Sequence, residues 1–334
     1  IQVRNTASPS TSKIAQISFP SHLKTLGSYA IYNLSTNGLT VTFDPDTTPI
    51  ELYEKAIYSN YAIDRVTEEA TGLTVLHLPA VKSLANDSWY ASTLGSNMAL
   101  TTVTFGEGST VKILPDSLFS GCSALTSVAI PASVTQIDAR CFQGCTALTD
   151  ITFAEGSQLV SIGSAAFSKT GLTEFVFPDG VTSVGEKVFD GCKVLTKVTL
   201  GAGMTGTLAY DPNGTSSTIF RGCTSIREFA VAKNHPTLSV EDGVLYDIAK
   251  SIVLAFPPAK DSAGYTIPAT VKEIYDYAFY GYKGSSIVLP DSLTRIGYGA
   301  FLRSSLESVL IPASVKEIDG YAFSAESTSY AHLK

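Results

Sequence analysis

The sequence predicts a repeat solenoid of short parallel β-strands, stacked coil upon coil and joined by short helical or 3₁₀ turns. Three observations predict it. Leu125 to Cys145, LTSVAIPASVTQIDARCFQGC, matches Leu306 to Phe323, LESVLIPASVKEIDGYAF, at nearly every apolar position, and the stretches from Leu172 and Ser286 repeat the pattern. Leu100, Leu125, Leu148, Leu172 and Leu195 open successive units 25, 23, 24 and 23 residues apart. Toward the C-terminus the period settles at 22, in Pro268, Pro290 and Pro312 and again in Phe279, Phe301 and Phe323. Such units cannot bury their apolar edge alone and do so by stacking.

Each part of the unit L-x-x-Φ-x-Φ-P-x-x-Φ-x-x-Φ-G-x-x-A-F-x-G-C, with Φ for Val, Ile, Leu or Phe, has a physical reading. Its Φ-x-Φ segment alternates as a strand does, with Val128 and Ile130 inward and Thr126, Ser127 and Ala129 outward. Pro131 cannot donate a ladder hydrogen bond and closes the strand. S-V-x-x-I-G is a second short extended segment whose Gly lets the chain turn. A-F-x-G-C is too short for a regular helix and fits one helical or 3₁₀ turn, its Phe plugging the core.

Along the chain, residues 1–13 are rich in Ser, Thr and Pro and read as a disordered leader or linker; they lack the apolar stretch of a signal peptide. Residues 14–99 hold degenerate units opening near Ile14, Leu39 and Leu73, irregular as units covering the open end of a core are. Residues 100–334 are the regular array, with two interruptions. A loop is inserted near 201–218, where Asp211-Pro212-Asn213-Gly214 marks a turn. A β-hairpin is expected near 240–258, from Val244-Leu245-Tyr246 and Ile252 to Ala255, with Asp242-Gly243 a tight turn ahead of it.

Composition narrows the function. Hydrophobic residues make up 44% of 334, ample for a core, and charged residues only 16%. A net charge of −7 argues against nucleic acid as a partner. No apolar run is long enough for a transmembrane segment. Of the five cysteines, Cys122, Cys145, Cys192 and Cys223 share one slot, three residues after a Phe, and Cys141 replaces the Ala before Phe142. Register-matched cysteines read as small buried residues and free thiols. The four His are scattered, and no motif of a hydrolase, metalloprotease or phosphate-binding loop occurs. Asp242-Gly243 with Asp247 lacks the alternating oxygens of a calcium loop. No catalytic residue, metal or cofactor is expected, and the chain reads as no enzyme.

Binding surfaces are the better candidates. Outward strand slots place Asp150 and Thr152, Glu174 and Val176, Lys197 and Thr199, and Arg227 and Glu228 along a hydroxyl-rich strip of mixed charge. Thr is also ordinary filler for an exposed strand. A second candidate is the tyrosine cluster of the C-terminal units. Tyr277 and Tyr321 occupy the same slot two units apart, with Tyr298 between. Their rings either pack over the Phe turn or form a recognition surface able to stack on a sugar.

The unit, carried in order by Leu125–Cys145, Leu172–Cys192 and Leu306–Phe323, resembles the BspA-like leucine-rich repeats of bacterial surface proteins, over about Ile14 to Phe323. The resemblance implies a curved right-handed leucine-rich-repeat solenoid with its parallel sheet on the concave side. It further implies a secreted or cell-surface protein of an anaerobic gut or oral bacterium, acting in adhesion or binding to a host or bacterial surface protein. The alternatives are a carbohydrate-binding module that uses the tyrosine cluster to hold a glycan, and a structural spacer.

Overall fold

A computed structural model describes residues 3–4, 16–20, 23–27, 30–32, 37–43, 50–52, 57–58, 72–78, 81–84, 94, 98–205, 219–220, 222–260 and 264–324. The chain is a parallel-strand β-solenoid of about ten turns. It divides into two compact units, residues 1–174, 180–193 and 216–222, and residues 175–179, 194–215 and 223–334.

In the first unit one parallel sheet runs Asp150–Phe153, Ser127–Ile130, Thr102–Thr104, Gly72–His77, Asn37–Phe43, Gln16–Phe19, with sequence neighbours as sheet neighbours. Ser127–Ile130 alternates exposed and buried, placing Val128 and Ile130 inward and Ser127 and Ala129 outward. A second ladder of two-residue strands runs Ile113–Leu114, Gln136–Ile137, Ser161–Ile162, Ser183–Val184. Within the stretch expected to be a leader, Val3–Arg4 pairs in parallel with Ile31–Tyr32, so these two residues belong to a sheet.

The A-F-x-G-C segments are turns, and no helix occurs among the described residues, where short helical or 3₁₀ turns were expected. The cause is where the backbone donors go. A helix would spend the amide of the Phe on its own coil. Here Phe119 donates to the carbonyl of Cys141 on the next coil (2.8 Å), Phe142 to Ala166 (2.8 Å) and Phe167 to Val188 (2.9 Å). Coil-to-coil bonding thus continues through the turns and leaves only isolated three-residue closures such as Cys122 to Phe119 (3.0 Å).

Those turns aim the phenylalanines inward, one per coil. Phe119, Phe142, Phe167, Phe189 and Phe220 form a stacked file with centroids 5.2, 5.4, 5.8 and 5.8 Å apart. Two residues before the Phe, the backbone is left-handed in every regular coil: Ser117, Arg140, Ala165 and Lys187 all have φ between 55° and 59°. The Gly after the second strand serves another purpose than the expected turn. A Cβ on Gly163 would lie 2.4 Å from the backbone nitrogen of Ala139, and one on Gly185 2.4 Å from that of Ser164. Close coil contact, not a positive φ, selects glycine there.

In the second unit Lys197–Leu200 pairs in parallel with Glu228–Val231, in the register Lys197 to Glu228 and Thr199 to Ala230. Val176, from the strand Glu174–Val176, lies in the same sheet. Three strands then run antiparallel, Leu238–Glu241, Val244–Asp247 and Ile252–Ala255. The first of these was not expected. It pairs across Asp242-Gly243, both with positive φ (49° and 72°), as the tightest hairpin turns require. From Ile252–Ala255 the sheet resumes in parallel through Glu273–Ile274, Arg295–Ile296 and Glu317–Ile318. A second phenylalanine file, Phe256, Phe279, Phe301 and Phe323, has centroid steps of 5.0, 5.0 and 5.2 Å. In the 201–218 insertion, Gly201 to Thr205 are described, and the Asp211-Pro212-Asn213-Gly214 turn lies outside the described residues.

Candidate functional site

The outward strand rows follow from the alternation of buried and exposed residues. In the first unit Asp150 and Thr152 stand opposite Ser127 and Ala129 on the neighbouring strand, and Asp150, Thr152 and Glu174 are all exposed. In the second unit Lys197 and Glu228 are cross-strand partners joined by a 2.5 Å ion pair. Arg227 is exposed, Lys197 and Thr199 half-buried, and Val176 exposed at 59%, an apolar side chain held toward solvent.

Many of the hydroxyls that enrich this chain serve the coils themselves. Thr126 donates to the carbonyl of Thr101 (3.2 Å), Thr135 to Lys112 (3.1 Å), Thr294 to Lys272 (3.0 Å) and Ser133 to Val111 (2.9 Å), each one coil back. At Thr101, Lys112 and Lys272 the hydroxyl adds a further bond to a carbonyl that already accepts a backbone N–H from the next coil. The shared cysteine slot works similarly. Cys145 Sγ donates to the carbonyl of Phe119 (3.1 Å) and Cys192 Sγ to that of Phe167 (3.0 Å). All five thiols are free and buried. Burial, the largest cause, raises the pKa of Cys141, Cys145 and Cys192, so these thiols stay neutral and poorly nucleophilic.

The tyrosines gather at one place in the second unit. Tyr277 and Tyr298 pack edge to face with centroids 5.6 Å apart, and Tyr298 and Tyr321 do the same at 5.4 Å. The rings stack over backbone as well as over each other: a Cβ on Gly299 would lie 2.8 Å from Tyr277 Cε1. Tyr277 and Tyr321 occupy the left-handed slot (φ 58°), which Gly299 fills in the coil between them (φ 56°).

Beside the tyrosines lies a charge cluster that sequence reasoning missed. Arg295 contacts Glu273 (2.5 Å), Asp276 (3.4 Å), Glu317 (3.7 Å) and Asp319. Asp276 also accepts the backbone N–H of Tyr298 (2.9 Å), tying the cluster to the tyrosine file. Partial burial pulls the Arg295 pKa down, but the charges of Asp319 and Glu273 and the Glu273 hydrogen bond outweigh it, and the net shift is upward. The signal was in the period, since Glu273, Arg295 and Glu317 stand 22 residues apart.

The acids of the hairpin are engaged with the protein itself. The Asp247 carboxylate accepts the N–H groups of Ser251 and Ile252 (both 2.7 Å) and the Ser251 hydroxyl (2.9 Å), and Asp242 pairs with Lys260 (2.9 Å). Asp242 and Asp247 thus both have partners within the protein. Buried His235 is equally committed: its Nδ1 accepts the N–H of Leu238 (3.1 Å) and its Nε2 faces the carbonyl of Gly201 (3.1 Å). Among the described residues, no group of three His, Cys, Asp or Glu is placed to hold a metal ion, and no helix is long and apolar enough to cross a membrane.

Comparison with known proteins agrees with this geometry. The model of the BspA type leucine rich repeat region matches in six copies, over residues 3–70, 95–196 and 255–333. A leucine-rich repeat protein from Bacteroides ovatus ATCC 8483 is similar in structure, with a TM-score of 0.56 and 19% identity over 97% of this chain and 80% of that one. One from Eubacterium ventriosum ATCC 27560 gives a TM-score of 0.53 and 24% identity over 66% of this chain. This chain spans 56% of the length of the Eubacterium protein. At these identities the likeness speaks to the fold. No curated protein matches the chain.

Proposed function

The chain belongs to the BspA-type leucine-rich-repeat family, and on that premise we propose that it is a non-enzymatic, secreted or cell-surface protein that binds a protein partner and thereby mediates adhesion. The observation that carries this reading is the outward strand row. Parallel stacking sets one exposed side chain beside the next, coil by coil, as in Asp150 beside Ser127 and Thr152 beside Ala129. Such ladders of stacked coils present extended binding surfaces. In each unit the row has a mixed character that suits a protein surface, Asp150 and Thr152 in the first and Val176, Lys197, Arg227 and Glu228 in the second. A nucleic acid is disfavoured by the net charge of −7.

The test is binding of the purified chain to immobilised host matrix proteins and bacterial surface proteins at several salt concentrations. Saturable binding should weaken with salt, because both rows carry charged side chains. Asp150→Lys or Glu228→Lys should lower it at least about fivefold through the association rate. Binding indifferent to both reversals, or none to any protein, would remove the strand rows from consideration.

A further inference from the structure

The tyrosine edge of the second unit is a surface of another kind, and it is independent of the strand rows. We infer that Tyr277, Tyr298 and Tyr321 form a binding site for a neutral, extended β-1,4-linked glycan.

The rings are fixed before any ligand arrives. Each is wedged against its neighbour at interplanar angles of 63° and 65°. Tyr277 and Tyr298 also lie on the backbone of the following coil, where a Cβ would come within 2.8 Å at Gly299 and 3.3 Å at Gly320. Side chains already immobilised lose little further freedom on binding.

Two of the three rings are also open to solvent, and Tyr277 is half-buried. Tyr298 is 39% and Tyr321 37% exposed, although the phenylalanines two residues on from Tyr277 and from Gly299 are sealed.

The spacing names the ligand class. The rings run in single file, one per coil, so they suit a linear ligand lying along the stack better than a broad protein face. A step of 5.4 to 5.6 Å matches one sugar residue of an extended β-linked chain. Pyranose C–H faces stack on aromatic rings, while hydroxyls need polar groups alongside. Tyr280, whose hydroxyl faces the Arg303 guanidinium (3.3 Å), has its ring 6.5 Å from that of Tyr277. The carboxylates around Arg295, tied to the file through Asp276 and Tyr298, number four for one guanidinium, which disfavours a sulfated or otherwise anionic glycan.

The experiment is calorimetric titration of the whole chain with cellohexaose, chitohexaose and mannohexaose, with maltohexaose as a coiled α-linked control. At least one β-linked hexamer should bind, and maltohexaose at least about tenfold more weakly, the effect of losing one stacked ring. Affinity should rise with chain length to three or four sugars and then level, because the file has three rings. Tyr298→Ala should weaken binding about tenfold, and Tyr298→Phe should retain it. Both variants alter an exposed side chain, and matched thermal melts establish that each is folded. No binding by any β-linked hexamer, equal binding of maltohexaose, or a folded Tyr298→Ala variant that binds as the parent does would each overturn the inference.

Discussion

Truncating Phe167 to Ala tests the stacked core where it is most continuous. The ring is fully buried and lies between Phe142 (5.4 Å, 8°) and Phe189 (5.8 Å, 15°), so both its faces are covered. Phe to Ala in a packed core costs about 3–5 kcal/mol. Two stacked partners, each contributing about 0.5–1.5 kcal/mol beyond burial, put this site at about 4–5 kcal/mol. Phe167→Leu keeps most of the volume and should cost about 1–1.5 kcal/mol. Urea titration followed by far-UV circular dichroism gives the loss, and hydrogen exchange locates it in the coils adjoining Phe167, since each coil touches only its neighbours. A double cycle with Phe142→Ala should show coupling of about 1 kcal/mol. A loss under about 1 kcal/mol for Phe167→Ala, or strict additivity with Phe142→Ala, would refute the stacked file as a source of stability.

Three further outcomes are expected. Arg295→Ala leaves Glu273, Asp276, Glu317 and Asp319 facing one another. It should cost about 2 kcal/mol at neutral pH, between the values for exposed and buried pairs, and less in acid as the carboxylates take up protons. A deficit equal at pH 7 and pH 3 would contradict this. Cys141, Cys145 and Cys192 keep their protons in the fold above their usual pKa of 9.0, whereas the unfolded chain releases them. Their contribution is therefore full below pH 9 and falls above it by about 1.4 kcal/mol per pH unit for each thiol. Denaturant midpoints between pH 8 and 10 should decline less steeply in a variant with all three changed to Ala. Ala165→Gly replaces a side chain held at φ 56° and should raise stability by about 1 kcal/mol in a thermal melt. A lower melting temperature would show that the slot is not strained.

Local physics explains which features could be read from the sequence. Alternation in Ser127–Ile130, the closing Pro131 and the Phe plug depend on a residue and its immediate neighbours, and the strand and core positions they imply are where the structure has them. Features that depend on the adjoining coil were hidden. The turn after the second strand looked helical because its amides' partners, such as Cys141 for Phe119, lie more than twenty residues away. The left-handed slot was invisible because Ser117, Arg140, Ala165 and Lys187 fill it instead of glycine. The cysteine slot read as apolar filler, yet Cys145 and Cys192 also donate to the preceding Phe carbonyl. At the candidate surfaces, exposure of Asp150, Glu174 and Glu228 followed from strand parity, and gathering of Tyr277 with Tyr321 followed from the shared slot. The edge-to-face packing of Tyr298 against both was not legible, because Tyr298 sits one residue before that slot.

The claim that the outward strand rows bind a protein partner is tested most directly by carboxyl footprinting. Carbodiimide labelling of the chain, alone and saturated with a partner recovered from the matrix-protein panel, reports side-chain access at Asp150, Glu174 and Glu228. The partner should suppress labelling several-fold on the row that it covers, Asp150 with Glu174 or Glu228, while leaving Glu307 and Glu317 of the C-terminal coils labelled. Unchanged labelling at Asp150, Glu174 and Glu228 in a saturated complex would contradict the account.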